Sequence, residues 1–362
     1  MPNDPNVAQY QPPKVMISIL NWNGWQDTLD CLESVRKLDY PNYLITVIDN
    51  DSSDNSVARI KAWAEENLGS GHVLADYQRE TALEGGASQT EPALENAPSP
   101  ARLVLIRNEE NMGFTAGHNV GICYALRRPA SADYVFLLNP DVVLDRACLR
   151  ELVSVDEASN AGVVGAVITD HTGKIQFARS GPSFRHFFRV LVGQPAPQTQ
   201  ADFWESPVVH GAAMLVASRV LRSIHQRRGT YLNDALFMYS DELDFCTSAR
   251  REGYNAVVAR KAIACHRIAV RHQVSEGSSA YFFYYFPRNS VILASSLLPF
   301  GKKVLFHLLF LPLCARRIAK RLLAGQHHLA RVMWDGLWDG YRGVSGKWKD
   351  HDRVARKGSG TW

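Results

Sequence analysis

The sequence predicts an α/β protein whose first 150 residues form a doubly wound, mostly parallel, Rossmann-like sheet. Two observations carry this: short continuous apolar runs that stop abruptly in polar residues, and stretches of helical spacing between them. Connections of that length join parallel strands, because an antiparallel pair needs only a tight turn.

Val15-Met16-Ile17-Ser18-Ile19-Leu20 reads as a buried strand ending at Asn21-Trp22-Asn23-Gly24. Leu29, Leu32, Val35 and Leu38 then recur at near-helical spacing until Tyr40-Pro41 stops the helix. A second strand, Leu44-Ile45-Thr46-Val47-Ile48, runs into Asp49, and Ser56 to Asn67 reads as a second helix. Residues 69–102 are rich in Gly, Ser, Glu and Pro without periodicity, which predicts a flexible insert. Leu103-Val104-Leu105-Ile106 and Tyr134-Val135-Phe136-Leu137-Leu138 are further strands, with a helix around Val120 to Arg127 between them. The expected division is a flexible N-terminus at 1–13, a sheet domain at 14–295 and a basic helical region at 296–362.

Composition limits what this fold can do. With 362 residues, 46% of them hydrophobic, the chain buries a large core, which excludes disorder throughout. The net charge of +4 is uneven: residues 301–362 hold 13 Lys and Arg against 4 Asp, +9, which leaves −5 for the rest. Polyanion binding, and with it nucleic acid, is therefore not expected of the sheet domain. The six cysteines are scattered in apolar stretches without a Cys-x-x-Cys pair, which predicts reduced core thiols and suits the cytosol. Residues 1–14 are polar and proline-rich, with no apolar run of signal-peptide type.

The residues beyond the strand ends carry the chemistry, since ligands of open parallel sheets bind at that edge. Asp49 and Asn50, with Asn21 and Asn23 on the neighbouring loop, have the donors and acceptors to read a pyrimidine edge; equally, Asp-Asn-Asp-Ser-Ser can turn the chain and cap the next helix. Asn111, Gly113 and Phe114 lead into a helix start, where free N–H groups favour an anion. Asn139-Pro140-Asp141 places a carboxylate just past a buried strand, suited to a divalent cation on a diphosphate, and His266 is the candidate second ligand. A structural histidine at the end of an apolar run is the alternative. Asp241-Glu242-Leu243-Asp244 opens a helix; acids there also complement the helix dipole, and Glu242 and Asp244 face different ways.

Taken together, these segments resemble the inverting family 2 glycosyltransferases of GT-A type, in particular a rhamnosyltransferase-like branch. The resemblance is carried by Ser18-Ile19-Leu20-Asn21-Trp22-Asn23, Val47-Ile48-Asp49-Asn50-Asp51-Ser52-Ser53-Asp54, Asn111-Met112-Gly113-Phe114, Leu138-Asn139-Pro140-Asp141, His210-Gly211-Ala212-Ala213 and Tyr239-Ser240-Asp241-Glu242-Leu243-Asp244, over residues 14–295. It implies a GT-A-type mixed, mostly parallel sheet, with Asp49 reading the base, Asp141 coordinating Mn²⁺ or Mg²⁺, and His266 as a further ligand. It also implies that the second acid of the Asp241-Glu242 pair, Glu242, is the catalytic base, although the family more often has Asp there. Asn139 and Pro140 stand where the full Asp-x-Asp metal motif has an acid and a middle residue.

By this resemblance the donor is a nucleotide-diphosphate sugar, a deoxysugar such as rhamnose from dTDP-rhamnose, and the acceptor a glycan or lipid-linked oligosaccharide. Such a reaction belongs to cell-envelope polysaccharide assembly, O-antigen included. Two other classes fit less of the chain: a non-catalytic nucleotide-binding or membrane-surface scaffold, and a nucleotidyltransferase, which would need a basic Gly-rich loop that Asn21-Trp22-Asn23-Gly24-Trp25 does not supply. At the C-terminal end, Val304 to Leu323 combines Leu305, Phe306, Leu309 and Phe310 with Arg316, Arg317, Lys320 and Arg321. This predicts an amphipathic helix on an anionic membrane, with Trp334, Trp338 and Trp348 at headgroup depth, peripheral on the inner face of the plasma membrane. The alternative is a helical subdomain packed on the core or on a second subunit of a homo-oligomer.

Overall fold

The computed structural model describes residues 11–180, 196–267 and 276–350. The first half alternates as expected: β1 (Val15–Asn21), α1 (Trp25–Val35), β2 (Tyr43–Asp49), α2 (Ser56–Asn67), β3 (Val73–Gln78), α3 (Arg79–Leu83), α4 (Glu91–Asn96), β4 (Arg102–Arg107), α5 (Gly113–Arg127) and β5 (Tyr134–Leu138). The second half is mixed: β6 (Val142–Leu144), α6 (Cys148–Ser159), β7 (Gly162–Thr169), β8 (Ile175–Phe177), β9 (Phe203–Glu205), β10 (Ala213–Ala217), α7 (Ser218–Arg228), α8 (Asp241–Arg251) and β11 (Asn255–His266). Three helices follow, α9 (Glu276–Leu297), α10 (Phe300–Leu323) and α11 (His327–Tyr341).

The strands form one sheet in the order β3-β4-β2-β1-β5-β10-β7-β11-β6, with β8 on β7 and β9 on β11. The run from β3 to β5 is parallel throughout, whereas β10 is antiparallel to both β5 and β7. Helices cover both faces, so β1 and β2 are buried on both sides; this is why their sequences are continuous apolar runs rather than alternating ones. The six cysteines are unpaired, and five of them are buried.

Residues 69–102 correct the expectation of a flexible insert. They contain the edge strand β3, paired in parallel with β4, and two short helices whose Ala82 and Leu94 are fully buried. Glu91 anchors the segment, accepting from Tyr77, from Tyr124 and from Arg128 at 3.0 Å. Helices of five and six residues are too short to show a period, and a buried ion pair looks like surface composition in sequence. At the N-terminus, residues 1–10 of the expected flexible stretch lie outside the described residues. Pro12 and Pro13 are held, their carbonyls accepting from Asn42 (2.8 Å) and Tyr40 (2.6 Å).

The helical region begins upstream of residue 296, because α9 belongs to it. Phe286, Val291 and Ala294 of α9 pack with Phe306, Phe310 and Cys314 of α10 and with Met333 and Leu337 of α11. Phe306 and Phe310 therefore face inward, contrary to the interfacial reading, and Trp348 is buried against Tyr284. Among the described residues no helix is long and apolar enough to cross a membrane.

Candidate active site

Four strand ends converge. At the first two, the residues expected to touch a base are largely engaged with one another. Asp49 Oδ1 accepts from Asn21 (2.7 Å) and from the Ser52 hydroxyl (2.7 Å), and Oδ2 accepts from the Ser52 N–H (3.0 Å). Asn23 Oδ1 accepts from the Ser53 N–H at 2.8 Å. The turn-forming alternative is thus realised, and Asp49, with little surface left, holds the loop together. Asn50 is spent on the next loop: it donates to the Gly113 carbonyl (3.0 Å) and accepts from Asn108 (2.8 Å).

The helix start at Gly113 is not an open anion cradle. The Gly113 N–H donates to Asn111 (2.9 Å), and the N–H groups of Phe114 and Thr115 both donate to the Phe237 carbonyl, at 2.7 and 3.3 Å. Gly113 has φ +74°, and a Cβ there would lie 2.6 Å from that same carbonyl oxygen. Glycine is required here for contact between two parts of the chain rather than for approach of a phosphate.

Beyond β5, the Asn139 N–H donates to the Ala212 carbonyl at 3.0 Å, joining two loops. Strand β6 then pairs antiparallel with the end of β11, with Val142 opposite His266. This register brings His266 Nε2 to 3.1 Å from Asp141 Oδ1. His266 Nδ1 is buried without a hydrogen-bond partner. His210, which the sequence placed in a matching segment but gave no role, stands beside them, its ring 5.6 Å from that of His266. Burial holds His210 down to about 3, hence neutral, with the nearby His266 adding to the effect.

The acidic helix α8 supplies the remaining group. Asp244 is buried and paired with Arg228 (2.6 Å), and it also accepts from Asn233 (3.3 Å), so its role is to hold the helix. Glu242 turns the other way and accepts from the Gly211 N–H at 3.3 Å. A Cβ on Gly211 would lie 2.8 Å from Glu242 Cγ, so this glycine makes room for the carboxylate arm. Burial raises the pKa of Glu242, opposed by the Gly211 N–H and by His266. It raises that of the more enclosed Asp241 well above the usual range, with the charges of Glu242 and Asp244 adding to it.

Asp141 and His266 are an oxygen and nitrogen donor pair that could hold a divalent cation such as Mn²⁺. Two ligands about 2.1 Å from one octahedral ion stand about 3 Å apart, which matches their separation. Among the described residues no three His, Cys, Asp or Glu side chains gather around one point, so other coordination positions would fall to substrate oxygens and water.

The strand order and the convergent edge define a GT-A fold. Residues 16–81 match the family model described as Glycosyl transferase family 2. Over 195 residues, 54% of this chain, the sequence is 29% identical to the low-salt glycan biosynthesis hexosyltransferase Agl10 of Haloferax volcanii, and the match spans 60% of that relative's length. Residues 1–349 of S. aureus TarS in complex with UDP-GlcNAc superpose with a TM-score of 0.51 and 13% identity, covering 95% of this chain and 83% of that one. The same TarS fragment on its own gives 0.50 and 13%, covering 95% and 82%.

Proposed function

We propose that the protein is a metal-assisted, inverting glycosyltransferase. The observation that carries this is Glu242, a half-buried carboxylate that accepts from the Gly211 N–H, with a raised pKa, at the same sheet edge as the Asp141–His266 pair. Glu242 accepts the proton of an acceptor hydroxyl as that oxygen bonds to the anomeric carbon. The bond from this carbon to the diphosphate breaks on the opposite face and its electron pair leaves with the nucleotide, so configuration inverts. Asp141 and His266 would hold Mn²⁺ or Mg²⁺, which supplies charge neutralisation at the leaving diphosphate. Asp241, more enclosed, sets the start of α8, and Asp49, Asn21, Asn23 and Asn50 build the rim on which the nucleotide rests.

The donor reading is a nucleotide-diphosphate sugar, with dTDP-rhamnose favoured by the motifs around Asn139 and Asp241. The names of the matched proteins speak of hexosyl transfer and UDP-GlcNAc, so the sugar is what the first experiment decides. The acceptor reading is a glycan or lipid-linked oligosaccharide, met at the inner face of the plasma membrane. This is supported by α10, whose outward face shows Leu305, Leu308 (66% exposed) and Leu309 together with the basic Lys302, Arg316 and Lys320.

Calorimetric titration with dTDP-rhamnose, UDP-GlcNAc and GDP-mannose, each with Mn²⁺ and with chelator, tests the reading. One donor should bind in a metal-dependent way and be consumed when acceptor is added. Failure of every nucleotide sugar to bind, with folded protein, overturns it.

A further inference from the structure

The turn that delivers Asp241 and Glu242 is conformationally costly. Phe237, Tyr239 and Ser240 have φ of 63°, 64° and 64°, a left-handed region that non-glycine residues rarely enter unless their surroundings compel it. The compulsion comes from α9. Arg288 is fully buried, its guanidinium 4.7 Å from the centre of the Tyr285 ring and 5.5 Å from that of Tyr284. It donates to the carbonyls of Ala235 (3.0 Å), Leu236 (2.7 Å) and Gly346.

Its Nε–H also donates to Asn289 Oδ1 at 3.0 Å. That bond orients the Asn289 amide so that its NH₂ faces the turn, where it lies 3.1 Å from the Leu236 carbonyl, 2.8 Å from that of Met238 and 2.9 Å from that of Tyr239. The remaining carbonyl of this stretch, that of Phe237, accepts from α5. Every carbonyl from 235 to 239 is thereby held from outside the turn, four of them by one Arg-Asn pair.

We propose that Arg288 and Asn289 are positioning residues for the transfer reaction: they lock the turn at residues 235–240, with Phe237, Tyr239 and Ser240 at positive φ, and so set the Glu242 carboxylate against Gly211. The inference rests on the reading of Glu242 as the base. It gives the helical region a role in the chemistry, because α9 is fixed by α10 and α11 while its Arg288 and Asn289 grip the turn. Neither residue touches a reacting atom.

The test uses the 362-residue chain carrying Asn289→Asp, which keeps the shape and the bond from Arg288 but takes away the NH₂ donor that faces the three carbonyls, and Asn289→Ala as a second variant. Donor affinity and the single-turnover rate with saturating donor and acceptor are measured, with Glu242→Gln in parallel. The expected result is a fall in rate of tenfold or more in both Asn289 variants, with donor affinity within twofold of wild type. A wild-type rate in either folded Asn289 variant, alongside an inactive Glu242→Gln, overturns the clamp. Near-wild-type turnover by Glu242→Gln overturns instead the reading on which it rests.

Discussion

His266 Nε2 lies 3.1 Å from Asp141 Oδ1 because the short antiparallel pairing of β6 with β11 sets Val142 opposite His266. Backbone register, not side-chain search, fixes this pair, so it should be formed before any ligand arrives. Asp141→Ala removes the charged partner and should weaken donor binding in Mn²⁺ by roughly 100-fold, while leaving binding in chelator little changed. Equal loss under both conditions would show that Asp141 supports the fold rather than a cation.

Glu242 and Asp241 adjoin in sequence but differ in surroundings, since Glu242 meets the Gly211 N–H and Asp241 is the more enclosed. Glu242→Gln should retain donor affinity and lose turnover by roughly two to four orders of magnitude. Asp241→Asn should be milder. If Asp241→Asn is inactive with donor affinity intact and Glu242→Gln is active, the two roles are exchanged.

Gly211→Ala offers a probe that alters no ionisable group. The added methyl would lie 2.8 Å from Glu242 Cγ and 3.0 Å from Oε1, so the carboxylate arm must move. Turnover should fall by about tenfold or more, in keeping with the sensitivity of catalysis to small misplacements. The circular dichroism spectrum should be unchanged. A fully active Gly211→Ala would mean that Glu242 is not used in the position the structure gives it.

The strand ends were legible because each is an apolar run halted by Asn or Asp, and the parallel sheet follows from that pattern. The long-range ties were not. Nothing local in His210 signals that a later strand brings His266 beside it, and Gly211 looks like any small residue until Glu242 fills its missing Cβ. Phe237 closes the helix start at Gly113 through its carbonyl, which no side-chain pattern encodes. Arg288 and Asn289 did leave a trace, as a polar pair following Tyr281-Phe282-Phe283-Tyr284-Tyr285-Phe286-Pro287. Such a pair inside an apolar run has to be satisfied within the fold.

The outward face of α10 makes a prediction about membranes. Leu308 is 66% exposed and Phe300 82%, Trp334 and Trp338 on α11 are more than half exposed, and α10 carries no acidic residue. Vesicles containing phosphatidylglycerol should bind the protein, and binding should weaken with salt because each basic side chain near the surface contributes about 1 kcal/mol. Leu305→Glu with Leu308→Glu should abolish sedimentation with these vesicles while donor affinity is kept. Unchanged sedimentation by that double variant, or a dimer-to-monomer shift in its place, would assign the face to a second copy of the chain.

The last prediction concerns acid stability and a histidine away from the proposed chemistry. His118 is fully buried in α5, sharing a hydrogen bond of 2.9 Å with Ser18 and packing edge-on to Phe114, and burial depresses its pKa to about 3. In the unfolded chain it titrates near 6.5, so between roughly pH 6.5 and 3 the unfolded state binds a proton that the folded state refuses. The sign follows: there is no penalty above the unfolded value, and stability declines by about 1.4 kcal/mol per pH unit below it, levelling off once the folded pKa is passed. His210, similarly depressed to about 3, adds a parallel contribution, so the wild-type slope alone does not isolate His118. His118→Gln keeps an amide for Ser18 but cannot titrate. Urea unfolding of both proteins at pH 7.5, 6.0 and 5.0 should show the variant less stable at pH 7.5 yet flatter toward acid, with the two curves converging by about 1.4 kcal/mol per unit below pH 6. Parallel curves would mean that His118 is not buried in its neutral form.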